Sequence, residues 1–333
     1  MQKRTTCLFT IALLCVLIVS GVNCTRVFAW SNGGYSGDPA NPGYGTHDWI
    51  AQHALDWLPA EEKQFLTDNL AWYLYGTELP DNRNTPDGVG DTTKHHIYFF
   101  ANGSLQDDAA AVRAEAEFVS AQQFFHAGNL SAAAEHLGMV AHYLGDMSVF
   151  GHMMGASTAW GTEVHHSDYE SYVLRRTESY VSELDSYLVY DGNLTLTTAY
   201  DGAVGLARDT TFDLRGGGLN CTWMDQHYNW SDATFRNRMG ASLNLAVNAV
   251  ADVIYTFYIE TAAPSQTSTT TPTLTASSTP TPSASSTPQP TPTSTTPVPE
   301  FPSTLTMTLI MMTISAGVLL YTKKKTKNQQ HFI

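Results

Sequence analysis

The sequence predicts an all-α domain followed by a disordered stalk and one C-terminal transmembrane helix. Three observations predict it. Apolar residues recur at helical spacing in one segment after another between residues 46 and 259, and no stretch alternates strongly enough to suggest a sheet. Metal-type side chains stand four apart, in His142-x3-Asp146 and His166-x3-Glu170, a spacing that puts both partners on one helix face. Past residue 262 the composition shifts to Ser, Thr and Pro, and then to an apolar run.

Residues 1–29 read as an export signal. Lys3 and Arg4 form a basic start, residues 8–21 are apolar, and Val27-Phe28-Ala29 fits a small-residue cleavage site that would leave Trp30 as the new terminus. The domain then runs over residues 30–262. Helices are expected at 46–58, 61–75, 107–126 (ending near Gly128), 130–148 (capped by Asn129 or Ser131), 168–187 and 235–259. A Gly/Pro/Asp-rich loop is expected at 76–94, and 188–230 reads as mixed. Residues 263–298 cannot bury a core and read as an extended, solvated stalk suited to O-glycosylation. Residues 304–322 suffice for roughly 28 Å of helix, enough to span a bilayer. Lys323, Lys324, Lys325 and Lys327 follow and place that end in the cytoplasm. The expected topology is an exported domain on the extracellular face, anchored to the cell membrane by its C-terminal segment.

Of the 31 acidic side chains, 30 fall in residues 30–261, against 10 of the 17 basic ones. So acidic a surface argues against stable nucleic-acid binding and against simple adhesion to anionic membranes. Cys7, Cys15 and Cys24 lie in the signal, so Cys221 stands alone in the domain and no internal disulfide can form. Asn102, Asn129, Asn193, Asn220 and Asn229 each open an Asn-x-Ser/Thr sequon, which an outward topology would expose to modification.

Five metal-type ligands fall within residues 142–170: His142, Asp146, His152, His166 and Glu170. Imidazole with carboxylate is a natural set for zinc. A single His-x3-Asp is usually a solvated helix surface, but two such pairs with a histidine between them make a metal centre the better reading. Upstream candidates are Trp30, His47, Asp81 and the pair His95-His96. His53, His126, His136 and His227 have no partner at metal spacing and read as core or surface histidines. Tyr35, Tyr44 and Trp49 read as core, and Cys221 as a small buried group.

This ordered series resembles the zinc-dependent phospholipase C family, which is akin to the S1/P1-type single-strand nucleases. The resemblance covers about residues 30–260. It rests on Trp30, His47, Leu79-Pro80-Asp81, His96-Ile97-Tyr98, His142-Tyr143-Leu144-Gly145-Asp146, His152 and His166-Ser167-Asp168-Tyr169-Glu170. It implies a multi-helical phospholipase C/P1 nuclease-like fold holding three Zn²⁺. Asp81, His96, His142 and Asp146 would bind the first zinc, and His152, His166 and Glu170 the second. Trp30 would bind the third through its amine and carbonyl oxygen, with His47 and Asp146. His96 is preferred to His95 because Ile97-Tyr98 follows it. Phe150 stands where the family commonly has proline, so a different turn is expected ahead of His152.

The implied activity is metal-assisted hydrolysis of a phosphodiester, with Asp81 as the catalytic group that orients the attacking water or takes its proton. The expected substrate is a phospholipid or another phosphodiester. A nuclease or nucleotidase on the same site and a non-catalytic surface binding module are the alternatives. Pro299-Glu300-Phe301 before the apolar run resembles the PEF-type sorting signal of archaeal surface proteins, which implies a sorting peptidase as partner and ether-linked lipids as neighbours.

Overall fold

The structure is a computed structural model that describes Trp30, Asn32 and residues 34–214 and 219–262. The signal at 1–29, the stalk at 263–298, the sorting motif, the span at 304–322 and the basic tail lie outside the described residues.

Helices dominate: α1 (Thr46–Ala54), α2 (Ala60–Asp68), α3 (Leu70–Glu78), α4 (Ala109–His126), α5 (Leu130–Asp146), α6 (Phe150–Met153), α7 (His166–Leu174), α8 (Ala199–Phe212), α9 (Cys221–Gln226) and α10 (Ala233–Ala262). Several boundaries differ from expectation for local reasons. The 46–58 segment ends as a short 3-10 turn over Leu55–Trp57, and the backbone at Asn69 breaks 61–78 into α2 and α3. The helix expected over 168–187 stops at Leu174 and resumes as a 3-10 turn at Glu183–Tyr187. A small antiparallel ladder, β1 (Tyr98–Phe99) with β2 (Leu105–Asp107), is too short to leave an alternating signature in the sequence.

The central element is α5, which packs against α1, α3, α4, α8 and α10. Asn129 caps its start by accepting from the Ala132 N–H at 3.3 Å. From Leu137 to Asp146 every residue is buried, so this helix end has no solvent face. The crossing with α3 is set by two glycines. A Cβ on Gly138 would collide with the Tyr73 carbonyl, and one on Gly76 with the Glu135 carbonyl. With the backbones in contact, the Thr77 carbonyl reaches the His142 ring. Gly138→Ala is expected to cost about 1–3 kcal/mol by overpacking, with a measurable drop in thermal midpoint and weaker metal retention as α3 is pushed away.

Helix α10 is long and apolar enough to cross a membrane by length and composition. Its apolar side chains from Phe235 to Phe257 are instead buried against α1, α5 and α8. Between α7 and α8, residues 188–198 run alongside α10. The N–H groups of Val189, Asp191, Thr195 and Thr197 donate to the side chains of Asn244, Asn248, Asp252 and Thr256, one per helical turn.

Candidate metal centre

The buried end of α5 delivers His142 and Asp146 from one face. Helix α1 brings His47, and the loop that follows α3 brings Asp81 and His95. Helix α6 supplies His152, and α7 supplies His166 and Glu170. All eight side chains are buried, from 0% exposed at His47, His142 and Asp146 to 7% at His152 and His166.

Their donor atoms fall into three groups, each with its atoms within 4.8 Å of one another: His47, His142 and Asp146; Asp81, His95 and His142; His152, His166 and Glu170. Asp146 stands at the centre. Its Oδ1 lies 3.3 Å from His47 Nε2 and 3.9 Å from His152 Nε2. Its Oδ2 lies 3.1 Å from His95 Nδ1 and 3.3 Å from His142 Nε2. Glu170 Oε1 joins the other side, 2.8 Å from His166 Nε2 and 3.5 Å from His152 Nε2.

On four of the five rings the outer nitrogen is committed elsewhere, which fixes which nitrogen faces inward. His142 Nδ1 donates to the Thr77 carbonyl at 2.6 Å. His152 Nδ1 donates to the His95 carbonyl. His95 Nε2 contacts Asp91 Oδ1 at 3.2 Å. His166 Nδ1 sits 3.4 Å from Glu163 Oε1, and Glu163 also accepts from the His166 backbone N–H at 2.8 Å. With those tautomers, His142 Nε2 and His95 Nδ1 face each other at 3.2 Å as two lone pairs. Such a pair needs a cation or a proton between its members.

Among the described residues, fourteen buried side-chain polar atoms lack a hydrogen-bond partner, and eight belong to this cluster: both ring nitrogens of His47, Asp81 Oδ1, both Asp146 oxygens, His152 Nε2, His166 Nε2 and Glu170 Oε1. Buried polar groups are normally paired because stranding one costs about 1–3 kcal/mol. Orphans concentrated on convergent imidazole nitrogens and carboxylate oxygens are what divalent cations satisfy. The residues present therefore fit zinc in number, type and tautomer.

The electrostatics of the metal-free cluster agree. Burial would raise the Asp146 carboxyl, but the surrounding His142 and His152 hold it well below the usual carboxylate range. Burial raises Asp81, and the nearby Asp146 and Glu170 add to the effect against His142 and His95. Burial, then His142, pushes His47 down to about 3. For His95, burial is outweighed by the Asp146 and Asp91 carboxylates, which lift it to about 10. Glu170 and Glu163 likewise outweigh burial at His166, also to about 10.

The sequence favoured His96, but the structure places His95 in the cluster. His96 turns away, with Nε2 3.2 Å from Asp107 Oδ2 and its ring stacked on Tyr98 at 4.2 Å. The physical reason is the Asp91 acceptor on one side of His95 and the Asp81/Asp146 pair on the other, which give that ring a partner on each nitrogen. Trp30 is fully buried, and its Nε1 donates to Gly145 O and Ser148 Oγ, both at 3.0 Å, which ties residue 30 beside the Asp146 end of α5. Phe150 buries its ring edge-on against Tyr169 at 5.1 Å, with extended Val149 opening the short helix that carries His152.

The other histidines do not join. His53 bonds to Asp56 and the Tyr180 carbonyl, His136 to Glu117, and His227 stacks on Trp223. His126 is the exposed last residue of α4, and Cys221 is buried. Trp49 is core, donating to Asp185 at 3.1 Å.

Sequence reasoning missed the outer partners Thr77, Asp91 and Glu163, and two glycines. A Cβ on Gly145 would stand 3.0 Å from His47 Nδ1, and one on Gly151 would stand 2.6 Å from the His166 ring. Gly151→Ala is expected to displace His166 and release the metal of the His152/His166/Glu170 group, a loss that metal analysis would count as about one ion. An unchanged count would show that the ring is free to yield.

The fold and site together define a helical domain with a buried cluster of imidazoles and carboxylates that form three groups able to hold a metal ion. The sequence pattern of the family described as zinc dependent phospholipase C matches residues 46–210 of this chain. That range holds every ligand candidate except Trp30. Among solved structures the chain is similar to an alpha-toxin isolated from an avian strain of Clostridium perfringens, with 16% identity and a TM-score of 0.47 over 69% of this chain and 66% of that one. It is also similar to the alpha toxin from Clostridium absonum, with 17% identity and a TM-score of 0.47 over 69% and 67%. The chain thus covers just under two thirds of the first toxin's length. No curated protein matches it.

Proposed function

We propose that this domain is a zinc-dependent phosphodiester hydrolase of the phospholipase C kind, holding three zinc ions and acting on polar lipid headgroups. The observation that carries the reading is the gathering of eight buried metal-type side chains, Asp146 among them, six of which keep a donor atom with no hydrogen-bond partner. The family match over residues 46–210 supports the same chemistry.

In this reading His95, in place of His96, joins Asp81, His142 and Asp146 at one ion. His152, His166 and Glu170 hold the second. His47, Asp146 and the amine and carbonyl of a processed Trp30 hold the third. Bound zinc would supply Lewis-acid activation of a water and neutralise charge developing on the phosphoryl group. The protein groups do the rest. Asp146 fixes neighbouring sites at one spacing by offering an oxygen to each. Asp81, a buried carboxylate beside His95, would orient the attacking water or accept its proton. The burial of every ligand excludes bulk water and strengthens each electrostatic contact.

The signal, stalk and apolar run of the sequence would present this domain on the outer face of the cell, tethered to its membrane and processed by a sorting peptidase. An acidic domain would then meet its anionic diester through metal charge, since 30 acidic side chains leave no basic surface for the purpose. The test is metal analysis of the processed domain together with a diester panel. Close to three zinc ions per chain and release of phosphorylated headgroup are expected. Mononucleotide release in place of headgroup would move the assignment to a nuclease, and zinc retention without turnover would make the domain a binding module.

A further inference from the structure

We infer that Asp91 is a positioning residue that holds His95 as an Nδ1 metal donor and so decides which of two adjacent histidines serves the centre. The inference rests on the zinc reading above. The loop after α3 closes on itself: the N–H groups of Val89 and Gly90 donate to the Leu79 carbonyl, and that of Asp91 to the Pro80 carbonyl at 3.0 Å. Gly90, at φ 58°, makes the turn. This closure sets Asp91 across from Asp81, with the His95 ring between them. Asp91 Oδ1 is 3.2 Å from Nε2, and Asp81 Oδ1 is 3.5 Å from Nδ1.

An imidazole whose Nε2–H is taken by a carboxylate carries its lone pair on Nδ1, the nitrogen that faces Asp146 and His142. Asp91 is itself held from two helices. Tyr143 on α5 donates to Oδ1 at 2.9 Å, and Arg113 Nε on α4 donates to Oδ2 at 2.7 Å. Arg113 is fixed in turn by Glu117 at 2.5 Å, and Glu117 by His136 at 2.7 Å. A connected polar chain therefore runs from His95 through Arg113 and Glu117 of α4 to His136 on α5. Among the described residues His96 has only Asp107 as an ionic partner, and that side chain is 47% exposed.

The experiment measures zinc affinity by chelator competition on the full domain for wild type, Asp91→Ala, Asp91→Asn and Tyr143→Phe. Asp91→Ala is expected to weaken one zinc site about 10–100-fold. Asp91→Asn should recover most of the loss, because its amide oxygen still accepts the Nε2–H. Tyr143→Phe should stay near wild type, because it loosens Asp91 while keeping the ring that packs edge-on against His95 at 5.4 Å. Nitrogen-15 spectra of the imidazoles should show His95 as one tautomer in wild type and a mixture in Asp91→Ala. An Asp91→Ala protein with wild-type affinity overturns the inference. So does an equal loss in Tyr143→Phe, which would make the effect a general loosening. If wild type holds no zinc, the proposed function falls, and the inference falls with it.

Discussion

Asp146→Ala is expected to strip the centre rather than one site. The carboxylate lies within 3.9 Å of four ring nitrogens drawn from α1, the loop after α3, α5 and α6. In the proposed assignment, removing it takes a ligand from two of the three ions at once. It also takes from His47 and His142 the one carboxylate that both rings contact. The variant should keep no more than the ion of the His152/His166/Glu170 group. Hydrolysis should fall by about three orders of magnitude, which corresponds to roughly 4 kcal/mol of lost transition-state stabilisation. Metal content and turnover, read beside a circular dichroism check that the helices persist, decide the matter. His152→Ala provides the contrast, because it should release only one ion. An Asp146→Ala protein with its full zinc complement would remove Asp146 from the role of bridge.

Zinc removal is expected to invert the pH dependence of stability. In the metal-free protein His95 and His166 have folded values near 10 against 6.5 for a free imidazole. A raised folded value gives stability that is fully present below 6.5 and is lost as pH rises through about 10. His47 works in the opposite sense. Its folded value near 3 means that the unfolded chain binds more protons between about 3 and 6.5, so stability falls as pH drops through that window. The stripped protein should therefore be most stable close to pH 6.5 and weaken by a few kcal/mol towards pH 10. Zinc requires deprotonated imidazoles, so the loaded protein should gain stability across the same alkaline range. Thermal midpoints with and without chelator at pH 6, 7.5 and 9 test this. Parallel curves would show that these histidines do not exchange protons for metal.

Much of this architecture was legible because the informative signals are local. His142 with Asp146, and His166 with Glu170, fall on single helix faces, and spacing alone pairs them. The cap at Asn129 and the long last helix were readable for the same reason. What escaped depends on contacts across the chain. Nothing near position 95 says which histidine turns inward, because the deciding oxygens belong to Asp91, Asp81 and Asp146. Loop 76–94 holds several aspartates, and only its backbone closure makes Asp91 the outer partner. The glycines at 138, 145 and 151 look like ordinary small residues until the Tyr73 carbonyl and the rings of His47 and His166 are seen to occupy the space a methyl would need. The end of α7 at Leu174 was missed because Tyr180, Val181 and Leu184 keep an apolar rhythm beyond it.

The segment alongside α10 imposes an arithmetic of its own. Four residues of helix advance about 6.0 Å, and two residues of extended chain about 6.6 Å, so one steps with the other nearly in phase. Val189 to Asp191 matches Asn244 to Asn248, and Thr195 to Thr197 matches Asp252 to Thr256. Between Asp191 and Thr195 four residues cover one helical step, and the surplus is taken up around Gly192 at φ 85°. Length can therefore change at Gly192-Asn193 without disturbing either half of the ladder. One residue added or lost on either side would leave the amide donors facing the wrong rungs.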